Sequence, residues 1–301
     1  MSAPIIAGYT TIRKIAEGGC AEIYEAQDQA TRRKVVIKVL AERDQSDKEK
    51  QKRLVKEGEL GLQIGAHPHI AQTCKIGRLE GVPYLIQEFA PGKTLRVWLR
   101  ERQKLRNREV LDIGRAIAKA LQCLHLKGIL HKDLKPENVI YDGKESVKLI
   151  DFGVAETRSG FSLGGLFGRK TLSGSPAYMA PELIQSKKPG ESSDLYALGC
   201  TLYELAAGRP PYLAGNDALI LDKHLDPLLR PAPLFSVNDS ISEATNKLIL
   251  SALVKDVSRR LATANQFLME LNRNPVFAPD SDAELVAFKR ISGRPNSPLS
   301  V

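Results

Sequence analysis

Two short stretches of this chain bring together residues that could do phosphate chemistry. They are His131-Lys132-Asp133-Leu134-Lys135-Pro136-Glu137-Asn138 and, after one short strand, Asp151-Phe152-Gly153. Carboxylate and amide oxygens are hard ligands of the kind that hold Mg²⁺ beside phosphate oxygens, and a lysine between them offers a point charge to a phosphoryl group in transfer. Asp-Phe-Gly alone is weak, since the same tripeptide serves as a plain turn. The order and spacing of the two stretches carry the signal, and the chemistry they suit is phosphoryl transfer.

Such side chains need elements that hold them, and the texture of the chain changes near residue 90. Before it, β-branched runs at 9–15, 22–26, 34–40 and 82–89 alternate with turn signals and are broken by one polar, helix-favouring stretch over 47–64. After it, helical spacing takes over. Val110, Ile113, Ile117, Leu121 and Leu124 line one helix face, and Ile241, Ala244, Leu248 and Ala252 line another. These patterns predict a mostly β lobe followed by a mostly α lobe, an α+β organisation. The Gly- and Ser-rich run over 157–175 cannot hold a regular element and reads as a long functional loop. Residues 274–301 read as a tail with one short helix over 283–290.

The 301 residues, 43% hydrophobic and 26% charged, exclude a disordered or fibrous chain and suffice for two compact lobes. A formal charge of +9 admits nucleic acid, an anionic surface or a phosphorylated small molecule as partner. Cys20, Cys74, Cys123 and Cys200 are too widely spaced for a zinc site or a disulfide scaffold, and all four are expected reduced and packed inside. His67-Pro68-His69 has no cysteine or carboxylate cluster beside it and reads as a loop. The longest apolar stretch, 195–207, carries Tyr203-Glu204 and has helical rather than membrane character, and Met1 to Ile6 lacks the features of a secretion signal. A cytoplasmic protein without a membrane span is the expectation.

With these motifs in this order, residues 9–273 resemble the Hanks-type serine/threonine protein kinases, and the Glu-Gly-Gly-x-Ala-Glu-x-Tyr texture at 17–24 is similar to bacterial members. The resemblance implies a two-lobed fold with an N-lobe over 9–88, a C-lobe over 91–273 and a tail over 274–301. It implies ATP and Mg²⁺ (or Mn²⁺) as cofactors and protein Ser/Thr hydroxyls as acceptors. Asp133 would take the acceptor's proton, Lys135 would face the γ-phosphate, and Asn138 and Asp151 would hold the metal. Lys38 in Val35-Val36-Ile37-Lys38 would meet the α- and β-phosphates. Glu57 would pair with it on grounds of spacing, with Glu59 the competing choice; taking Glu57 puts Gly61 where the family packs an apolar residue. The nucleotide would be lined by Ile15, Ala16, Gly18, Gly19, Ile23, Val36 and Ile140, with adenine against the Glu88 carbonyl and Ala90 amide and Gln87 behind it. Gly174 to Glu182 resembles the end of an activation segment, the platform for a protein substrate. Glu182 would pair with Arg260, and Asp194 would tether the catalytic loop. Thr171 and Ser173 are the candidate autophosphorylation sites, reached through a transient homodimer.

Three positions depart from the family pattern. Ala16 and Ala21 stand where the phosphate-covering hairpin carries its first and third glycines, a change costing about 1 kcal/mol at a strained position and little in an ordinary strand. Lys132 stands where many members carry an arginine that grips a phosphate on the activation loop, so switching by loop phosphorylation is expected to be weaker. These departures leave two readings, an active kinase and a binding module of the same fold. The retained Lys38, Asp133, Lys135, Asn138 and Asp151 favour the first. The basic residues Arg96, Arg100, Arg102, Lys104, Arg106 and Arg108 read first as a solvated helix end and second as a docking surface for an acidic partner; nucleic acid is not expected, because Trp98 is the only interleaved aromatic.

Overall fold

The computed structural model describes residues 4–17, 20–157 and 174–273. Gly18, Gly19, the candidate phosphosites Thr171 and Ser173, and the expected tail with its helix all lie outside the described residues. The fold is α+β, with the sheet first and the helices after it.

Five antiparallel strands make the N-terminal sheet: β1 (Tyr9–Glu17), β2 (Ala21–Asp28), β3 (Lys34–Leu40), β4 (Thr73–Leu79) and β5 (Val82–Glu88), in the order β1-β2-β3-β5-β4. In β3 the strand period of two sends Val35, Ile37 and Val39 into a core with Tyr24, Ala26, Tyr84 and Ile86. Val36 and Lys38 are left on the opposite face, half-buried. Register sets Val36 across from Gln87 and Lys38 across from Ile23. Ala16 and Ala21 both sit in paired strand, Ala16 opposite Ile23 and Ala21 opposite Leu40, without positive φ. Neither alanine therefore pays the penalty of a glycine-only conformation.

Helix α1 (Lys48–Ile64) crosses behind this sheet. Asp47 caps it, its carboxylate accepting the amides of Glu49 and Lys50 at 2.9 and 3.1 Å. Leu54, Glu57, Gly58, Leu60, Gly61 and Ile64 form its buried stripe at helical spacing. Leu60 and Ile64 belong to the same buried cluster as Leu149 and Phe152, so α1 packs partly on the second lobe.

That lobe is helical: α2 (Leu95–Arg102), α3 (Asn107–Leu126), α4 (Pro181–Ile184), α5 (Glu191–Ala207), α6 (Asp217–Leu225), α7 (Glu243–Ala252) and α8 (Ala264–Arg273). The stripe from Val110 to Leu124 is buried in α3, against α5 and α8. From Ser192 to Ala206 helix α5 is buried all round, which explains its near-continuous apolar sequence without a membrane. Among the described residues no helix is long and apolar enough to cross one. Ile241 is buried but precedes α7, whose cap is Ser242, and Ala244 is only half-buried. Short strands β6 (Lys93–Thr94), β8 (Val139–Tyr141) and β9 (Val147–Leu149) form one small sheet, and β7 (Ile129–Leu130) pairs with β10 (Glu156–Thr157). The segments between these strands hold the candidate site residues at 131–138 and 151–153.

The expectation that all four cysteines are packed inside is wrong for Cys20 and Cys74, whereas Cys123 packs against the core. Only Cys200, in α5, is buried; Cys123 is half-buried, and Cys20 and Cys74 are exposed. Cys20 lies at the hairpin between β1 and β2, and Cys74 on a strand at the sheet's edge, so neither has a second layer to cover it. His67-Pro68-His69 is a loop between α1 and β4.

Candidate active site

Three separate parts of the chain meet at Lys38. Its ammonium lies 2.7 and 2.8 Å from the two Glu57 oxygens and 3.1 Å from Asp151 Oδ1. Glu57, not Glu59, is the α1 residue that makes this contact. Burial works against the charge on Lys38, but the carboxylates of Glu57 and Asp151 outweigh it and hold the amine above its ordinary value. Burial likewise opposes the charge on Asp151, and Lys38 reverses the effect, holding its carboxyl below the usual carboxylate range. Asp151 has φ +65° and folds its carboxylate back to accept the Gly153 amide at 3.1 Å, while Phe152 is buried beneath it.

The helix register answers the question raised by Gly61. A Cβ there would lie 2.0 Å from Thr73 Oγ1 and 2.7 Å from Thr73 Cβ, so β4 fills with a threonine the space that an apolar side chain on α1 would take. Thr73 also accepts a hydrogen bond from the Gln87 amide at 3.4 Å. The glycine allows α1 to approach the sheet closely enough for Glu57 to reach Lys38.

On the other side of the cleft the catalytic loop is fixed from below. Asp194, buried in α5, accepts the His131 amide at 2.9 Å and the Lys132 amide at 2.8 Å, and meets His125 Nε2 at 2.8 Å. Burial disfavours its charge, yet these partners hold the carboxyl below the usual range. Asp133 is gripped on both oxygens: Oδ2 accepts from Lys135 at 2.7 Å, and Oδ1 accepts the Ser175 amide and hydroxyl at 3.1 Å each. Lys135 also donates to Ser175 Oγ at 2.8 Å. Gly174, at φ +127°, turns the chain into this contact, in a backbone conformation that L side chains rarely adopt. Glu182 forms a two-pronged ion pair with the buried Arg260, at 2.8 and 3.1 Å, which pins the far end of the same segment.

The apolar residues expected to line a nucleotide come from both lobes and are at least partly buried except on β1. Ile23 and Val36 come from the sheet, Ile140 from β8, and Ala90, which is buried, from the connection between the lobes; Ile15 and Ala16, on β1, are more exposed. The Glu88 carboxylate is held by Lys148 of β9 at 2.8 Å, which ties that connection to the strand preceding Asp151. Asn138 donates its amide to the Asp133 carbonyl at 2.8 Å. Its oxygen and the partly exposed Asp151 carboxylate are hard donors that would hold a metal. Among the described residues no three His, Cys, Asp or Glu side chains converge on one point. Two oxygen donors suit a hard cation such as Mg²⁺, which takes one or two protein oxygens and completes its shell with phosphate and water.

Several partners escaped the sequence reading. Ser175 lay in a recognised motif, but nothing in its spacing pointed to Asp133. Arg96 is not part of a basic surface: its guanidinium donates to Glu137 at 2.7 Å, to Glu204 at 2.6 Å and to the Tyr178 hydroxyl at 2.6 Å, and Tyr178 also donates to Glu204. The rest of the run is dispersed. Arg102 forks onto Glu109, Arg108 faces Asp112, and Lys104 donates to the Val237 carbonyl. Lys132 points to Glu156.

Known proteins are similar to this chain over most of its length. The chain is 30% identical over 272 residues to the serine/threonine-protein kinase PrkC of Bacillus subtilis, an overlap of 90% of this chain and 41% of PrkC. It is 33% identical over 261 residues to the human hormonally up-regulated neu tumor-associated kinase, covering 86% of this chain and 36% of that protein. The chain thus spans about two fifths of the length of the curated relatives it matches. The family model described as the protein kinase domain matches residues 9–272, and the chain belongs to that family.

Proposed function

We propose that the protein is a serine/threonine protein kinase that transfers the γ-phosphoryl group of ATP, with Mg²⁺ or Mn²⁺, to hydroxyls of protein substrates. The catalytic unit is taken as residues 9–273, with lobes over 9–88 and 91–273. The observation that carries the reading is the convergence of Lys38, Glu57 and Asp151 from β3, α1 and the segment after β9. A lysine so held presents its charge to nucleotide phosphates without moving. Ile15, Ala16, Ile23, Val36 and Ile140 would flank the base, and the Glu88 carbonyl and Ala90 amide would read its edge.

The metal, held by Asn138 and Asp151, would neutralise charge on the phosphates. The chain's own groups do the rest. Asp133 orients the acceptor hydroxyl and takes its proton, and Lys135 offsets the negative charge that builds on the moving phosphoryl group. Ser175 holds both Asp133 and Lys135, so the platform for the acceptor peptide and the base are set by one contact. The binding-module reading drew on Ala16, Ala21 and Lys132; the two alanines sit in paired strand without positive φ, Ala16 beside a register irregularity, and Lys132 is paired with Glu156. Autophosphorylation of Thr171 or Ser173 in a transient homodimer, and a cytoplasmic location, complete the proposal.

The test is transfer of labelled phosphate from ATP to a protein acceptor by the wild type and by Asp133→Ala. Label dependent on Asp133 supports the reading. Equal incorporation by both defeats it.

A further inference from the structure

Lys132 is a charged residue of the loop over 131–138 to which the proposed mechanism gives no part, yet both its amide and its ammonium are held. Its amide donates to Asp194 Oδ1 at 2.8 Å. Its carbonyl lies against Gly174, where an added Cβ would come within 3.4 Å. Its ammonium forms an ion pair with Glu156 at 2.8 Å, both side chains being largely covered, at 18% and 25% exposure. The backbone between these anchors is left-handed, φ +67°, a conformation that a lysine adopts only when its surroundings impose it. The next residue is Asp133.

Glu156 stands on β10, five residues beyond Asp151, and its partner across the ladder is Leu130, two residues before Lys132. The ion pair thus joins the segment carrying the metal ligand to the segment carrying the base. It also neutralises Lys132. A phosphate brought to this ammonium would meet a carboxylate already in place, and the like charges would oppose it.

We infer that Glu156 is a positioning residue for phosphoryl transfer: its carboxylate is a built-in counter-charge that holds Lys132, and through it Asp133, without any phosphate on the chain. This deepens the kinase reading and rests on it. The carboxylate touches neither substrate nor metal in this role; it acts on the backbone that aims the base.

The experiment uses the full chain, freed of phosphate by a phosphatase that is then removed, with ATP and casein as a generic Ser/Thr acceptor. Phosphate-free wild type is expected to keep more than half of its kcat. Glu156→Gln is expected to lower kcat about 5- to 20-fold while KM for ATP stays within twofold, because only the base is misaimed. Lys132→Glu and Glu156→Lys should each be worse, and the two together should recover to within about threefold of wild type, a rescue that a bulk structural role would not give. Lys132→Arg, which keeps the charge, should stay within twofold. A wild-type kcat in Glu156→Gln, a charge-reversed pair no better than its single variants, or a tenfold loss on removing phosphate from wild type would each overturn the inference. If wild type shows no Asp133-dependent transfer, the kinase reading fails instead. The positioning role is then read from amide hydrogen exchange at residues 131–133: faster exchange in Glu156→Gln supports it, and unchanged exchange overturns it.

Discussion

Replacing Gly61 by alanine isolates the approach of α1 to the sheet from every charged group in the site. The new Cβ would sit 2.7 Å from Thr73 Cβ, an atom that side-chain rotation cannot move, and 2.0 Å from Thr73 Oγ1, which rotation can move. Carbon atoms pack at about 3.6 Å, so α1 and β4 must part by roughly 0.9 Å. Overpacking of this kind costs about 1–3 kcal/mol, and alanine returns about 1 kcal/mol of helix propensity over glycine, leaving a net loss of about 1 kcal/mol. The effect on the site is larger. Glu57 lies one turn away on the same buried stripe, and a rigid shift of α1 would stretch its 2.7 Å contact with Lys38 by a similar amount. Misplacing a positioning group by about 1 Å costs up to about 10²-fold in rate. Steady-state transfer at saturating ATP should therefore fall about 10- to 100-fold, with urea unfolding only slightly easier. Leu62→Ala, on the exposed side of the same helix, should change neither. Adding Thr73→Gly to Gly61→Ala removes both colliding atoms and should restore most of the rate. A kcat within twofold of wild type in Gly61→Ala would refute the reasoning, because the helix would then have settled without moving Glu57.

Two further predictions follow from buried charges. His224 is fully buried, its Nδ1 is 2.7 Å from the Tyr196 hydroxyl, and burial pushes its pKa down to about 4. An unfolded chain binds that proton near pH 6.5, so stability from this group is complete above pH 6.5 and lost as pH falls toward 4. The loss should be about 1 kcal/mol at pH 5.5 and about 3 kcal/mol near pH 4, and urea unfolding of His224→Gln across this range should lack that component of the slope seen in wild type. Arg96→Met removes the cationic partner of Glu204, which is 3% exposed, leaving it only the Tyr178 hydroxyl, and should destabilise the fold by about 3 kcal/mol; a thermal midpoint equal to that of wild type would show that the pair contributes nothing.

What the sequence made legible was local or carried by motifs. Strand β3 and helix α1 follow from a β-branched run and from a polar, helix-favouring stretch, and Lys38, Asp133 and Asp151 stand in recognisable order. Strand β4 was missed because Thr-Cys-Lys-Ile-Gly-Arg-Leu has no clean alternation and holds a glycine, over which the Tyr84 ring packs from the next strand. Five of the six basic residues from Arg96 to Arg108 are exposed, as a solvated helix end requires, but Arg96 was misread because it and Glu204 are 108 residues apart and spacing along the chain gives no sign that they meet. The same holds for Lys132: its departure from the family pattern was visible, but Glu156, which explains it, lies on a two-residue strand without any hydrophobic signature.

The burial of Leu60 and Ile64 in one cluster with Leu149 and Phe152 also bears on how the chain is made. The helix that carries Glu57 leaves the ribosome roughly ninety residues before the segment that covers it, and at about 5–20 residues per second that gap lasts some 5–18 s. During that interval the apolar stripe of α1 has only the young sheet to rest on. The nascent first lobe is then a half-covered intermediate, exposed to chaperones and to aggregation until the second lobe closes over it.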